Sequence, residues 1–209
     1  SGKTTFVNLL PRFYDVTSGE ILIDGVNVKE HSLDHLRKKF GIVPQKAVLF
    51  HGTIRDNMRY GKEDATEEEI WEALRIAQAE EIVEKKSNKL DAIISEGGKN
   101  LSGGQRQRLT IARALVRKPE ILILDDSGSA LDFATDAKLR KAIREHTEEM
   151  TVLIVSQRAA SIMQADCILV LDQGEIAGMG THESLLKECS IYQEICYSQL
   201  SEEEVARHA

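Results

Sequence analysis

LSGGQRQRLTIARALVRKPEILILDDSGSALD, residues 101–132, sets a glycine-rich turn, a helix-length run and a strand-length run in direct succession. Ser102-Gly103-Gly104-Gln105 stands just ahead of Leu109, Ala112 and Val116, apolar residues at one-face helical spacing. A helix that opens this way presents unpaired N–H groups to an anion. Ser102, followed three residues later by Gln105, also fits a capping box, so the helix start is specified locally; an ordinary capped helix would carry the same pair. After Pro119, Ile121-Leu122-Ile123-Leu124 is a continuous apolar run of strand length that ends in two carboxylates, Asp125 and Asp126. Carboxylates at the carboxyl end of a strand buried on both faces stand where open α/β sheets bind ligands. Hard oxygen donors there suit Mg²⁺.

The matching half of such a site lies at the amino end, in Ser1-Gly2-Lys3-Thr4-Thr5. It reads as the back of G-x-x-x-x-G-K-[ST], in which backbone N–H groups cradle phosphates, Lys3 reaches the terminal phosphates and the Thr4 hydroxyl ligates Mg²⁺. The tripeptide alone is weak evidence. With a hydrophobic strand ending in Asp125 downstream, the pair points to an NTPase. Because the motif is halved and the first residue is not methionine, the sequence is expected to be a piece of a longer one.

SGKTT, Gln45 in GIVPQ, LSGGQ, ILILDD and SALD, in this order, resemble the nucleotide-binding domain of an ABC transporter, and the resemblance covers nearly the whole chain. Val48-Leu49-Phe50-His51-Gly52-Thr53-Ile54 and Ser95-Glu96-Gly97-Gly98 are similar to the exporter branch. The resemblance implies an α/β P-loop NTPase core, RecA-like with a mostly parallel sheet, formed by residues 1–45 and 118–209 with its N-terminal strands missing. It implies an inserted helical subdomain at 46–117 that carries the signature and faces a transmembrane domain. It further implies ATP and Mg²⁺ as cofactors, with Ser1, Gly2, Lys3, Thr4 and Thr5 on the nucleotide and Thr4, Gln45 and Asp125 at the metal. Ser102, Gly103, Gly104 and Gln105 would complete the site of an opposing subunit, and Asp132 closes a loop that touches that site. The expected partners are a second nucleotide-binding domain and the transmembrane domain, at the cytoplasmic face of the cell membrane.

Two positions depart from the family pattern. Asp126 stands where the family usually has a glutamate as general base, and Gln157 where it usually has a switch histidine. Aspartate reaches about 1.5 Å less far than glutamate, and a misplacement of about 1 Å can cost on the order of 10²-fold in rate. Gln157 can hydrogen-bond a γ-phosphate but cannot carry charge or shuttle a proton. Both changes weaken hydrolysis while sparing binding. The expectation is therefore a degenerate site in one half of a heterodimeric exporter, with Asp126, Gln157 and Gln45 as its catalytic positions. A slow homodimeric ATPase and a regulatory module without turnover remain alternatives. A soluble ABC-type ATPase of DNA repair or ribosome function is not expected, since it would show a coiled-coil insertion or tandem domains and neither is read in these residues.

Composition agrees. The 209 residues, 42% hydrophobic and 29% charged, suffice for one large α/β domain or a core with a small subdomain. A net charge of -7 argues against nucleic acid as a partner. No apolar stretch in these residues is long enough to cross a bilayer, and no secretory signal is expected. Cys167, Cys189 and Cys196 contain no C-x-x-C pair; Cys189 and Cys196 are expected to be buried apolar thiols.

Along the chain, the expected elements are a helix from Lys3 to about Leu10, a hairpin around Asp24-Gly25, and a buried strand at Phe40 to Val43. A mainly helical stretch from Lys46 to Arg117 includes a helix capped at Thr66, with Ile70, Ala73, Leu74 and Ala77 inward and Trp71 off that stripe. Further on come a helix from Phe133 to about Thr147, a buried strand from Thr151, a strand pair turning at Asp172-Gln173-Gly174, a helix capped at Thr181, and a frayed end at Ser201 to Ala209.

Overall fold

The computed structural model describes residues 2–146 and 149–201. In chain order the elements are α1 (Lys3–Leu9), β1 (Leu22–Ile23), β2 (Val26–Asn27), α2 (Leu33–Lys38), β3 (Phe40–Val43), β4 (Gly52–Thr53), α3 (Ile54–Arg59), α4 (Glu67–Ile76), α5 (Glu80–Glu84), β5 (Ile93–Ile94), α6 (Gly103–Leu115), β6 (Ile121–Asp125), α7 (Phe133–His146), β7 (Thr151–Val155), β8 (Ile168–Asp172), β9 (Glu175–Gly180), α8 (His182–Glu188) and α9 (Ser190–Gln199). The fold is α/β: a parallel sheet in the order β3-β6-β7 with helices on both faces and a mainly helical segment between β3 and β6.

β6 is the centre of that sheet, and its apolar run is divided between two cores. Leu122 and Leu124 join a large cluster with Ile54, Leu74, Leu109 and Leu139, while Ile123 faces the other way, toward Val7 and Phe40. Alternation of side chains along a strand produces this division, and burial on both faces is why the run is continuously hydrophobic. β7 was expected to be equally buried, but Val152 to Val155 are only partly covered and Thr151 is exposed. Among the described residues only β6 is hydrogen-bonded beside β7, so its other edge is left open.

The inserted segment follows its sequence pattern closely. Thr66 accepts from the Glu69 N–H at 3.2 Å and Glu69 accepts from the Thr66 N–H at 3.0 Å, the reciprocal pair of a capping box. Ile70, Ala73, Leu74 and Ala77 are buried as their spacing requires, and Trp71 packs against the same cluster from its edge. Lys62 Nζ lies 2.6 Å from the Glu69 carboxylate, which ties the first turn of α4 to the chain just before it. The two-residue pair β4·β5, in which Gly52 and Thr53 face Ile94 and Ile93, has no periodic signal and falls within the stretch that the sequence leads one to expect as mainly helical. Thr147 and residues 202–209, where a helix end and a frayed tail were expected, lie outside the described residues. Cys189 and Cys196 are buried and free. Among the described residues no helix is long and apolar enough to cross a membrane.

Gly61 marks how tightly α3 is seated on α6. A Cβ there would lie 2.2 Å from the Arg113 carbonyl oxygen and 3.0 Å from Val116 Cγ1. A carbonyl in a helix cannot swing aside as a side-chain end can. Gly61→Ala is expected to destabilise the protein by about 2–3 kcal/mol, seen as a thermal midpoint lowered by several degrees; an unchanged midpoint would mean that the two helices can separate without cost.

Candidate active site

The strands of a parallel sheet end on the same edge, and here that edge collects the residues singled out by sequence. Gln45 follows β3, Asp125 closes β6, Asp126 follows it, and Gln157 lies beyond β7. α1 packs across the sheet by burying Val7 beside Ile123, which places its first turn at the same edge. Gly2, Lys3, Thr4, Thr5, Gln45, Asp125, Asp126, Val155 and Gln157 line one cavity of about 250 Å³.

Two hydrogen bonds join its parts. Thr4 Oγ1 donates to Asp125 Oδ1 at 3.2 Å, across 121 residues of sequence. Gln45 Nε2 donates to Asp126 Oδ2 at 3.3 Å. The first turn of α1 supplies donors of another kind. The Phe6 N–H is bonded to Gly2 O; the N–H groups of Lys3, Thr4 and Thr5 precede that bond and have no carbonyl in their own helix. α1 has no side-chain cap, whereas α3, α4 and α6 each open on a capping box. Gly2 adopts φ 79°, a left-handed conformation open to glycine. Uncapped amides beside a lysine can take a phosphate group.

The donor set also fits a magnesium ion. Thr4 and Asp125 offer a hydroxyl and a carboxylate side by side, both hard oxygen ligands. Among the described residues no group of three or more His, Cys, Asp or Glu could hold a metal. Mg²⁺ is commonly held by one or two protein oxygens with phosphate and water completing the octahedron, so this sparse set suits it.

Asp126 has a backbone feature invisible in sequence. Its φ is 46°, in the left-handed region that aspartate enters more readily than most residues. The turn is fixed by its own N–H bonded to Val155 O at 2.8 Å and by the Ser129 N–H and hydroxyl, which donate to Asp126 O at 3.2 and 2.9 Å. The carboxylate therefore leaves a rigid turn at the mouth of the cavity.

The remaining sequence candidates lie elsewhere. Ser102 and Gln105 form the reciprocal capping box of α6, at 3.2 and 3.0 Å. Ser102, Gly103, Gly104 and Gln105 do not line the cavity. Their turn lies beside the loop after β6, where a Cβ on Gly104 would sit 3.3 Å from Ala130 O and 3.4 Å from Leu131 Cδ2. Asp132 is outside the cavity too. It caps α7, accepting from the Thr135 N–H at 2.9 Å and the Thr135 hydroxyl at 2.8 Å, and these bonds hold its carboxyl below the usual range. Ser1 lies outside the described residues.

Sequence reading missed Arg106, whose Nη1 donates to Gly98 O and Leu101 O at 3.3 and 2.8 Å and so holds the glycine-rich turn. It also missed Arg158 and Gln199, described below; none of these carries a motif. A separate surface feature is the exposed ring pair Phe50 and Tyr60, with centroids 4.5 Å apart. Arg113 lies over both rings, at 5.3 and 6.0 Å, and donates to Val48 O at 2.9 Å. Burial pulls its guanidinium below its ordinary value.

Comparison with known proteins gives this geometry a context. A family model described as ABC transporter matches residues 1–129, more than half of the chain. The chain is 47% identical over 203 residues to an uncharacterized ABC transporter ATP-binding protein, YfiB of Bacillus subtilis, covering 97% of this chain and 35% of that protein. It is 44% identical over 204 residues to an ATP-dependent lipid A-core flippase of Syntrophus aciditrophicus, covering 98% of this chain and 34% of the flippase. The solved structure of a bacterial Atm1-family ABC exporter with ATP bound superposes with a TM-score of 0.91 at 39% identity, over 96% of this chain and 35% of that one. The chain thus spans about a third of the length of the relatives it matches.

Proposed function

The chain belongs to the ABC transporter family, as an ATP-binding domain of exporter type, and from that premise we propose that it binds MgATP and powers export as the degenerate half of a heterodimer. The observation that carries this reading is the cavity in which Thr4 meets Asp125 and Gln45 meets Asp126, with Lys3 and Gln157 on its walls. The α1 amides and Lys3 take the phosphates. Thr4, Asp125 and Gln45 would hold Mg²⁺, which when bound would supply positive charge against that of the phosphates.

Turnover at this site is slow because the groups that would activate water fall short. Asp126 is one carbon shorter than the family's glutamate and leaves a backbone fixed by Ser129 and Val155. Gln157 offers an amide to the γ-phosphate and no titratable group. The signature turn Ser102-Gly103-Gly104-Gln105 lies outside this cavity, next to the loop holding Asp132, as expected of a turn that completes the site of a second nucleotide-binding domain. That partner is a different half-transporter with an unimpaired site of its own.

Residues 46–117 form the subdomain that faces the transmembrane domain, and the Phe50–Tyr60 pair is its apolar docking point at the cytoplasmic face of the membrane. The flippase and the Atm1-family exporter among its relatives support export as the direction.

The test is to replace Asp126 with Glu and Gln157 with His together in the assembled transporter. Turnover at this chain's site is expected to rise by about 10- to 100-fold, less a small cost for placing glutamate in a left-handed turn. Equal turnover at both sites before any substitution would identify a slow homodimer instead. ATP binding with no turnover in either form would identify a regulatory module.

A further inference from the structure

The segment after β7, residues 156–161, carries Gln157 into the nucleotide cavity and is held from several directions. Ser156 Oγ accepts from the Arg158 N–H at 2.9 Å, which curls the segment locally. Arg158 Nη1 and Nη2 donate to the carbonyls of Leu131 and Ser129 at 3.1 and 3.2 Å, and its guanidinium lies 5.0 Å from the Phe133 ring centre. At the far end the Ser161 hydroxyl donates to Asp136 Oδ2 at 2.9 Å. The span between these anchors is held by a residue from the last described helix. Gln199 Nε2 donates to Gln157 O at 2.7 Å, and Gln199 Oε1 accepts from the Ala159 N–H at 2.9 Å.

The paired bonds match the chemistry of a carboxamide. It sets one donor and one acceptor side by side, and so pairs with a peptide backbone as a neighbouring strand would. Nor does α9 need Gln199 for its own docking. Tyr192 and Cys196, 1% and 0% exposed, already seat the helix in a cluster with Ile168, Leu185 and Ala159, whereas Gln199 itself is exposed. What the two bonds fix is the backbone on either side of Arg158. The Gln157 side chain stays free to line the cavity.

We propose that Gln199 is a positioning residue for the nucleotide site: its carboxamide bridges the backbone of Gln157 and Ala159, so that the Gln157 side chain meets the terminal phosphate of ATP from a fixed backbone. The proposal rests on the nucleotide-site reading above. It makes the end of α9 part of the apparatus that distinguishes ATP from ADP. Because Arg158 lies between the two bridged residues, the same bridge steadies the loop at Ser129 and Leu131.

The test uses the full protein carrying Gln199→Met, which keeps the length of the side chain and removes both hydrogen bonds, and Gln199→Glu, which keeps an acceptor but cannot donate to Gln157 O. Affinities for MgATP and MgADP, amide hydrogen exchange over residues 157–161 and the thermal midpoint are measured for each. Both variants are expected to lose about 3- to 10-fold in preference for ATP over ADP, the worth of one hydrogen bond. ADP affinity should stay within about twofold, since ADP lacks the phosphate concerned, and the midpoint should hold. Exchange at Ala159 should quicken in Gln199→Met without nucleotide. An unchanged ATP preference, or unchanged exchange, overturns the proposal and leaves the nucleotide site standing. Equal losses for ATP and ADP with a lowered midpoint would reduce Gln199 to a structural contact and also overturn it. A wild-type protein that binds neither nucleotide removes the nucleotide-site reading itself, and this proposal with it.

Discussion

Asparagine in place of Asp125 is expected to lower ATP affinity in the presence of Mg²⁺ by on the order of 10²-fold and to leave binding in chelator unchanged. Loss of a hydrogen-bonding partner behind a metal ligand typically costs about 10- to 100-fold in metal affinity, and loss of charge on the ligand itself costs no less. The substitution is nearly isosteric, and the Thr4 hydroxyl, now 3.2 Å from Asp125 Oδ1, can still donate to an amide oxygen. The fold should therefore hold. Asp125 is buried, 7% exposed, at the end of the central strand, so a thermal midpoint near that of the wild type is the control that separates lost metal binding from lost structure. Calorimetric titration with and without Mg²⁺ provides the measurement. Equal affinity for the variant and wild type in Mg²⁺ would show that the ion, if bound, is held elsewhere.

Valine at Gly104 is the second large effect, and it should appear in a different quantity. In the assembled transporter, turnover is expected to fall by about 10²- to 10³-fold, the size of losing a phosphate-stabilising donor set. ATP affinity of this chain's own cavity should stay within about twofold, because Gly104 does not line that cavity. The steric reason is local. A Cβ at Gly104 already stands 3.3 Å from Ala130 O and 3.4 Å from Leu131 Cδ2, and the two methyls of valine must displace that loop or fill the open side of the turn. Measuring nucleotide affinity and steady-state hydrolysis in parallel distinguishes the cases. If affinity at the Lys3 cavity fell along with turnover, the signature turn would be serving its own chain, and the shared-site reading would fail.

Much of this was legible in residues 101–132. The Ser102–Gln105 box, the buried face of α6 and the β6 run ending in Asp125 are local patterns, and the structure has them where their spacing put them. The hairpin turning at Asp24-Gly25 and the cap at Thr66 belong to the same class. Such features are encoded within a few residues, by periodicity and by short-range competition for backbone hydrogen bonds.

The short β4·β5 pair is not legible in sequence because two residues a side cannot show a period, and the partial burial of β7 is not legible because an apolar run does not reveal which strands pair beside it. Motif spacing pointed to Lys3, Thr4 and Asp125, and the family resemblance alone singled out Gln45, Asp126 and Gln157. Only the tertiary structure decided that they share one edge, that Asp126 leaves a left-handed turn, and that Gln199 hydrogen-bonds the backbone of Gln157 across 42 residues. The physical reason is range: composition and periodicity specify what each segment does to its neighbours in sequence, whereas a parallel sheet brings strand ends together through crossovers whose contacts no local pattern records.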